Sequence, residues 1–258
     1  VGKDGVQRAR CKSQGCFAGD ALDYIRAKRL GDSGTIVDAL AWVDGKQGSW
    51  YSAQKQVFAP PPPKPLPPGL ARQGLAYHLA LDTLMTPCGR SGRAWWHGQG
   101  IDDETIARYE LGICPSCPTA PGVMSVTMPV VIGGVLRQIR HRLLNPVNPK
   151  DKYRPEVTEQ GLFLFNCDSL TRLPDGSERE EYEDVLILEG EKKTLVLETF
   201  GVSWLLPIIS ATGGIDSWNT HYAEGWIAQL DAFKRVHICF DPGAASRAAA
   251  EKTARLFG

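Results

Sequence analysis

Apolar and polar positions follow two different rhythms along this chain, and the change falls near residue 184. Beyond it, short continuous apolar runs at 185–188, 206–211 and 236–240 take turns with stretches of helical spacing at 194–200, 222–234 and 244–257. Strands that are apolar at every residue are buried on both faces. This order therefore predicts a parallel sheet covered by helices. Before residue 184 the pattern is mixed. Residues 123–144 are β-branched and broken by Gly133-Gly134, which predicts a hairpin, and 163–166 adds a strand. Residues 69–115 read as helical, with the acids Asp102, Asp103 and Glu104 marking one helix start. Residues 21–25 and 37–43 also have helical spacing. Seven prolines fall within 59–70, a composition that excludes helix and sheet and favours a stiff polyproline II spacer. The expected fold class is α/β (α+β overall), in four parts: an N-terminal module at 1–58, a proline-rich linker at 59–70, a mixed α+β subdomain at 71–183 and a parallel-sheet domain at 184–258.

Composition narrows this little. The 258 residues suffice for one large domain or two small ones. Equal numbers of basic and acidic side chains, 29 of each, neither favour nor exclude nucleic acid, because a neutral chain can still gather its cations on one face. No apolar run approaches the roughly 20 residues of a membrane helix, and no stretch resembles a signal peptide, so a cytoplasmic protein with no membrane partner is expected. The seven cysteines pair in sequence as Cys11/Cys16 and Cys114/Cys117, with Cys88, Cys167 and Cys239 alone. Reduced thiols are expected, with metal binding open at the pairs. The absence of a starting Met and the helical pattern of the last residues suggest a piece of a longer chain.

Two of the three apolar runs end in an acid, Glu189 and Asp241. Carboxylates gathered at the carboxyl edge of a parallel sheet suit a hard dication such as Mg²⁺, and each alone is equally an ordinary turn acid. Within Glu189-Gly190-Glu191-Lys192-Lys193, Glu191 is expected to lie exposed on the turn. Lys192 and Lys193 are either phosphate contacts or a solvated helix start. Arg137, Arg140, His141 and Arg142 are clustered, with Lys150, Lys152 and Arg154 following. On a strand Arg140 and Arg142 share a face, so both can meet one phosphate backbone. Trp95-Trp96-His97 reads as core plus one exposed ring, or as a stacking platform. There is no phosphate-binding Gly-x4-Gly-Lys-Ser/Thr loop.

The stretches VLILEGEKKTLVLETFGV, PIISATGG and VHICFDPGAASRAAAEKTARLF resemble the TOPRIM fold of bacterial-type primases and type II topoisomerases. In that fold one strand ends in Glu-Gly and a later one in Asp-x-Asp. The Glu-Gly-Glu-Lys-Lys variant is similar to primase domains of phages, plasmids and mobile elements. Upstream, GIDDETIARYELGICP, VLRQIRHRLLNPV and KYRPE are similar to the first half of the DnaG-type primase core, in the same order. CKSQGCFAGDALDYIRAKRLG resembles the tail of the primase zinc ribbon. The resemblance implies synthesis of RNA primers on single-stranded DNA from ribonucleoside triphosphates. It implies catalytic Glu189 and Asp241 holding Mg²⁺ or Mn²⁺, and Arg137, Arg140, Arg142, Lys152, Lys192 and Lys193 against nucleic acid or nucleotide. It also implies Zn²⁺ at Cys11 and Cys16, and a replicative helicase as partner in a bacterial cytoplasm or nucleoid. The chain departs from the pattern at Gly243, where the second carboxylate of Asp-x-Asp would fall, and at Lys193, where many relatives carry an acid. Two alternatives remain: a catalytically weak TOPRIM module that binds DNA or recruits a helicase, and a TOPRIM nuclease.

Overall fold

The computed structural model describes residues 68–83, 85–148, 151–180 and 182–257. The N-terminal module, with Cys11 and Cys16, and the linker through residue 67 lie outside the described residues.

The first half builds an antiparallel sheet backed by helices. Helix α1 (Leu70–Asp82) buries Leu70, Gly74, Tyr77 and Leu81, a helical spacing. Helix α2 (Pro87–Gly98) starts where the Thr86 hydroxyl accepts the Gly89 amide at 3.0 Å, with Pro87 in the first turn. Helix α3 (Asp103–Arg108) is capped by Asp102, which accepts the Thr105 amide at 2.8 Å. Strands β1 (Gly112–Cys114), β2 (Ser125–Ile132), β3 (Val135–Leu143) and β4 (Tyr153–Pro155) pair antiparallel in that order. The β2–β3 hairpin closes through Gly133 and Gly134 at φ +60° and +73°, the left-handed pair a two-residue hairpin turn needs. The Asp168 carboxylate accepts both of their amides, at 2.7 and 3.2 Å, and ties the turn to the second half of the chain.

The second sheet has the order β5-β7-β6-β8, from β5 (Leu164–Phe165), β6 (Asp184–Leu188), β7 (Ile208–Ala211) and β8 (Arg235–Cys239). Strand β6 is parallel to both neighbours, and β5 is antiparallel to β7. Helix α4 (Glu191–Thr199) links β6 to β7, α5 (Tyr222–Leu230) links β7 to β8, and α6 (Ala244–Ala254) follows β8. The alternation read from the sequence is thus present, in a mixed α/β molecule. Leu186 and Leu188 pack with Leu197 and Val202 on one face of the sheet, while Val185 and Ile187 pack with Trp218, Trp226 and Leu230 on the other. Consequently α4 and α5 cover opposite faces. The step from β6 to β7 and the step back across to β8 run in opposite directions, and right-handed crossovers then fall on opposite sides. Strand order reverses beside β6, and this is where open α/β sheets leave a crevice for ligands. Leu195 of α4 belongs instead to the core of the first half, with Trp96, Ile106, Met128 and Phe165. One helix therefore serves both cores.

The register of β6 on β8 is fastened at its amino end. Arg235 donates from Nε and Nη2 to the two Asp184 oxygens at 2.6 and 2.5 Å, and His237 Nε2 meets Asp184 Oδ1 at 2.6 Å. Burial opposes ionisation of Asp184, but the hydrogen bonds and charges of Arg235 and His237 together outweigh it and hold the carboxyl at about 2, against an ordinary 3.8. A depressed carboxyl contributes stability above its unfolded pKa and loses it as pH falls through the folded one. Asp184→Asn is therefore expected to cost about 1–2 kcal/mol at pH 7. It is also expected to flatten the loss of stability that the native chain shows between pH 3.8 and about 2. Urea denaturation at pH 7 and across that acid range checks both.

Candidate active site

Pairing of Leu188 with Cys239 brings the ends of β6 and β8 level. Glu189 leaves β6 and Asp241 follows β8, and the Asp241 amide donates to Glu189 Oε2 at 2.8 Å. Lys193, in the first turn of α4, donates from Nζ to Glu189 Oε2 at 3.2 Å and forms an ion pair with Asp241 Oδ1. The two carboxylates and this ammonium make one cluster open to solvent, with the Glu189 side chain 26% and the Asp241 side chain 53% exposed. The positive end of α4 begins beside Glu189 and favours its charge. Gly243, at the start of α6, has an extended φ of 168°, and a Cβ built on it meets nothing within 4 Å.

A cationic surface adjoins the acids. Lys192 Nζ donates to Gln99 Oε1 at 2.8 Å. Burial first, then the charges of Arg142, Lys193 and Lys152, push the Lys192 ammonium below its ordinary range, and Asp241 pulls the other way. Three of the other five cations expected to contact nucleic acid or nucleotide are therefore close enough to act on Lys192. The Arg142 guanidinium lies over the rings of Trp95 and Tyr153 at 5.9 and 5.4 Å. Trp96 is fully buried and meets Trp95 edge-on, which leaves Trp95 as the partly exposed ring of the pair. Lys152 is exposed.

Two expectations change here. Glu191 is not exposed on the turn; it is 4% exposed and pairs with Arg140, whose Nε donates to Glu191 Oε1 at 3.1 Å. Arg140, expected on a phosphate backbone, is itself 8% exposed and committed to that carboxylate. The two arginines do share a face of β3, but that face is covered by α4 at Arg140 and only partly covered at Arg142. Burial raises the Glu191 carboxyl above its ordinary range, with Arg140 opposing the rise. Arg137 sits at the bulge of β3, where the register passes from Gln138 to Leu136 and leaves it without a cross-strand partner. It is not brought to the acidic cluster.

Other chemistry-bearing groups are structural. Cys114 and Cys117 are buried free thiols, with Cys114 Sγ donating to the Ser116 carbonyl at 3.1 Å. Ser125 Oγ meets His141 Nδ1 at 2.9 Å and His141 Nε2 meets Glu156 Oε2 at 2.5 Å, the connectivity of a hydrolytic triad. Ser125 and His141 have no exposed surface, so this is a polar strut between strands. Among the described residues, no three His, Cys, Asp or Glu side chains converge on a metal position. The donors at Glu189 and Asp241 still fit Mg²⁺, which takes one or two carboxylates and completes its shell with water and substrate phosphate. They do not form an all-protein cage.

No protein-family model matches the chain, and no curated protein matches it. Solved structures do. The catalytic core of DnaG aligns with 72% of this chain and 64% of its own length, at 18% identity and a TM-score of 0.53. The E. coli primase catalytic core aligns over 70% of this chain and 64% of its own, at 18% identity and a TM-score of 0.49. The primase fragment of the bacteriophage T7 primase-helicase aligns over 63% and 59%, at 18% identity and a TM-score of 0.47. The chain spans somewhat less than two thirds of the DnaG core it matches. The described residues have the fold of a DnaG primase catalytic core, and the Glu189–Asp241 pair stands at the carboxyl edge of its parallel sheet.

Proposed function

We propose that this chain carries the nucleotidyl-transfer centre of a DnaG-type primase, of TOPRIM type, which copies single-stranded DNA into short RNA primers. The observation that carries the reading is the convergence of Glu189 and Asp241 beside the cations Arg142, Lys152, Lys192 and Lys193. Acids that hold a dication, next to cations that hold phosphates, are what joining a ribonucleotide to a chain end requires. The primer hydroxyl attacks the α-phosphorus, and pyrophosphate leaves. Mg²⁺ or Mn²⁺ held by Glu189 and Asp241 would neutralise phosphate oxygens and favour the ionised hydroxyl. Lys192 and Lys193 would bind the triphosphate. Arg142, backed by Trp95 and Tyr153, would follow the template backbone, which positions a strand without reading its sequence. Arg140 pairs with Glu191 and so fixes the start of α4, a positioning role.

The same reading assigns Cys11 and Cys16 to part of a zinc site and residues 1–58 to template choice. It also supplies a replicative helicase partner, a bacterial cytoplasmic setting and an origin among phages, plasmids or mobile elements. Among the described residues no helix is long and apolar enough to cross a membrane.

The test incubates the 258-residue chain with single-stranded DNA, ribonucleotides and Mg²⁺ or Mn²⁺. Labelled oligoribonucleotides support the primase. Loss of input DNA supports a nuclease instead, and DNA binding without either product supports an accessory module. Arg142→Ala is expected to weaken single-stranded DNA binding and to lower the slope of log affinity against log salt by about 0.7–1, the loss of one phosphate contact. An unchanged slope, measured by fluorescence anisotropy across a salt series, would remove Arg142 from the template track.

A further inference from the structure

Lys193 is not simply one more phosphate contact. Its ammonium is bonded to the Glu189 carboxylate at 3.2 Å and paired with Asp241, so it stands between the two acids expected to hold a dication. Three features make this placement more than a chance surface pair. Lys193 lies four residues beyond Glu189, in the first turn of a helix whose start is fixed by the buried Glu191–Arg140 pair. The Asp241 amide holds the Glu189 oxygen that Lys193 also uses, so the acceptor is oriented before the cation arrives. Finally, Lys192 next to it is a like charge within electrostatic reach, so the acids on the other side are the favourable place for the Lys193 ammonium.

We propose that Lys193 is a tethered counter-cation of the Glu189–Asp241 pair and competes with free dications for it. This rests on the reading of that pair as a cation site. Tethering gives the ammonium a high effective concentration at the acids. The acids alone offer a dication two ligands, against a positive charge already in place. A nucleoside triphosphate changes the balance on both sides, because its oxygens add ligands for the dication and offer Lys193 a second set of anions. The site then holds metal well only together with nucleotide. The ammonium that neutralised the acids becomes available to the triphosphate.

The experiment measures binding of Mn²⁺ alone to the 258-residue chain by the spin-resonance signal of free Mn²⁺. No turnover is involved. Lys193→Met is expected to bind Mn²⁺ about tenfold more tightly than the native chain, since one like charge and one competitor leave the site. Lys193→Arg keeps the charge and is expected to bind as weakly as the native chain. Lys193→Gln serves as a second neutral variant should the Met variant fold poorly, with thermal unfolding as the check. In the Lys193→Met background, Glu189→Gln is expected to abolish the gain. Equal Mn²⁺ affinity in the native, Met and Gln chains, with Glu189→Gln still lowering it, overturns the competition and leaves the acidic pair as a cation site. Mn²⁺ binding indifferent to Glu189 in both backgrounds overturns the cation site itself, and the competition with it.

Discussion

Glu189→Gln is expected to lower primer synthesis by about a thousandfold, the scale on which loss of a charge-stabilising group at a reacting phosphate is felt. Glutamine is the substitution that removes the charge and keeps the acceptor. Glu189 Oε2 accepts the Asp241 amide and the Lys193 ammonium, and a glutamine oxygen can accept both. The turn and its neighbours therefore remain, and only the negative charge is lost. Thermal unfolding should be almost unmoved. Binding of single-stranded DNA should also survive, because the cations proposed to meet it, Arg142 on β3 and Lys152 just before β4, do not lie on the β6 turn. Primer yield against time, with the native chain as reference, is the measurement. A variant that keeps even half the native rate would show that the acid is an ordinary turn residue.

The second large effect is structural. Arg140→Ala is expected to destabilise the chain by about 3–5 kcal/mol, because it strands a carboxylate in a place with no water. Glu191 is 4% exposed, and the Arg140 Nε at 3.1 Å is the cation it pairs with. The pH dependence follows from the raised Glu191 carboxyl. A carboxyl raised on folding binds its proton more readily in the native state, so its penalty is full at high pH and fades as pH falls through the folded value. Without Arg140 the rise is larger, and the gap between variant and native chain should narrow as pH is lowered from 7 towards 5. Replacing both partners, as Arg140→Met with Glu191→Leu, should recover most of the loss, since removing a buried pair costs far less than breaking it. Chemical denaturation of the three chains at two pH values decides the matter. A small loss for Arg140→Ala, independent of pH, would mean that water reaches Glu191.

The contrast between Glu189 and Glu191 shows what the sequence could carry. The apolar run at 185–188 and its sudden end locate β6 to within one residue, because a strand buried on both faces leaves a continuous signal. Gly133-Gly134 locates the hairpin for an equally local reason. The same logic makes an acid after a strand visible as a candidate. It cannot show that the next acid, two residues on, is buried, because the residue that buries and pairs it lies 51 positions earlier in another sheet. Glu191 reads from the sequence as an exposed turn acid and Arg140 as free to meet a phosphate backbone, whereas each is buried against the other. Strand β1 is hidden in the same way. Gly112, Ile113 and Cys114 carry no strand pattern of their own and become a strand only because β2 and α1 enclose them. The Trp95-Trp96 pair reads from the sequence as core plus one exposed ring, but which ring lies outside, and that Arg142 stacks on it 47 positions later, does not.

Helix α4 is the part of this molecule that two cores hold at once, through Leu195 on one side and Leu197 on the other. Its contacts reach further still, from Lys192 to Gln99, from Glu198 to Arg108 and from Thr199 to Thr105. A helix clamped along its length in this way acts as a strut. It sets the spacing between the Arg142 surface and the acidic edge as a fixed gauge. On the proposed primase reading, the nucleic acid would advance along this stationary frame, with a side chain such as Lys193 as the part that changes position. Jaws closing around the substrate would require that strut to break.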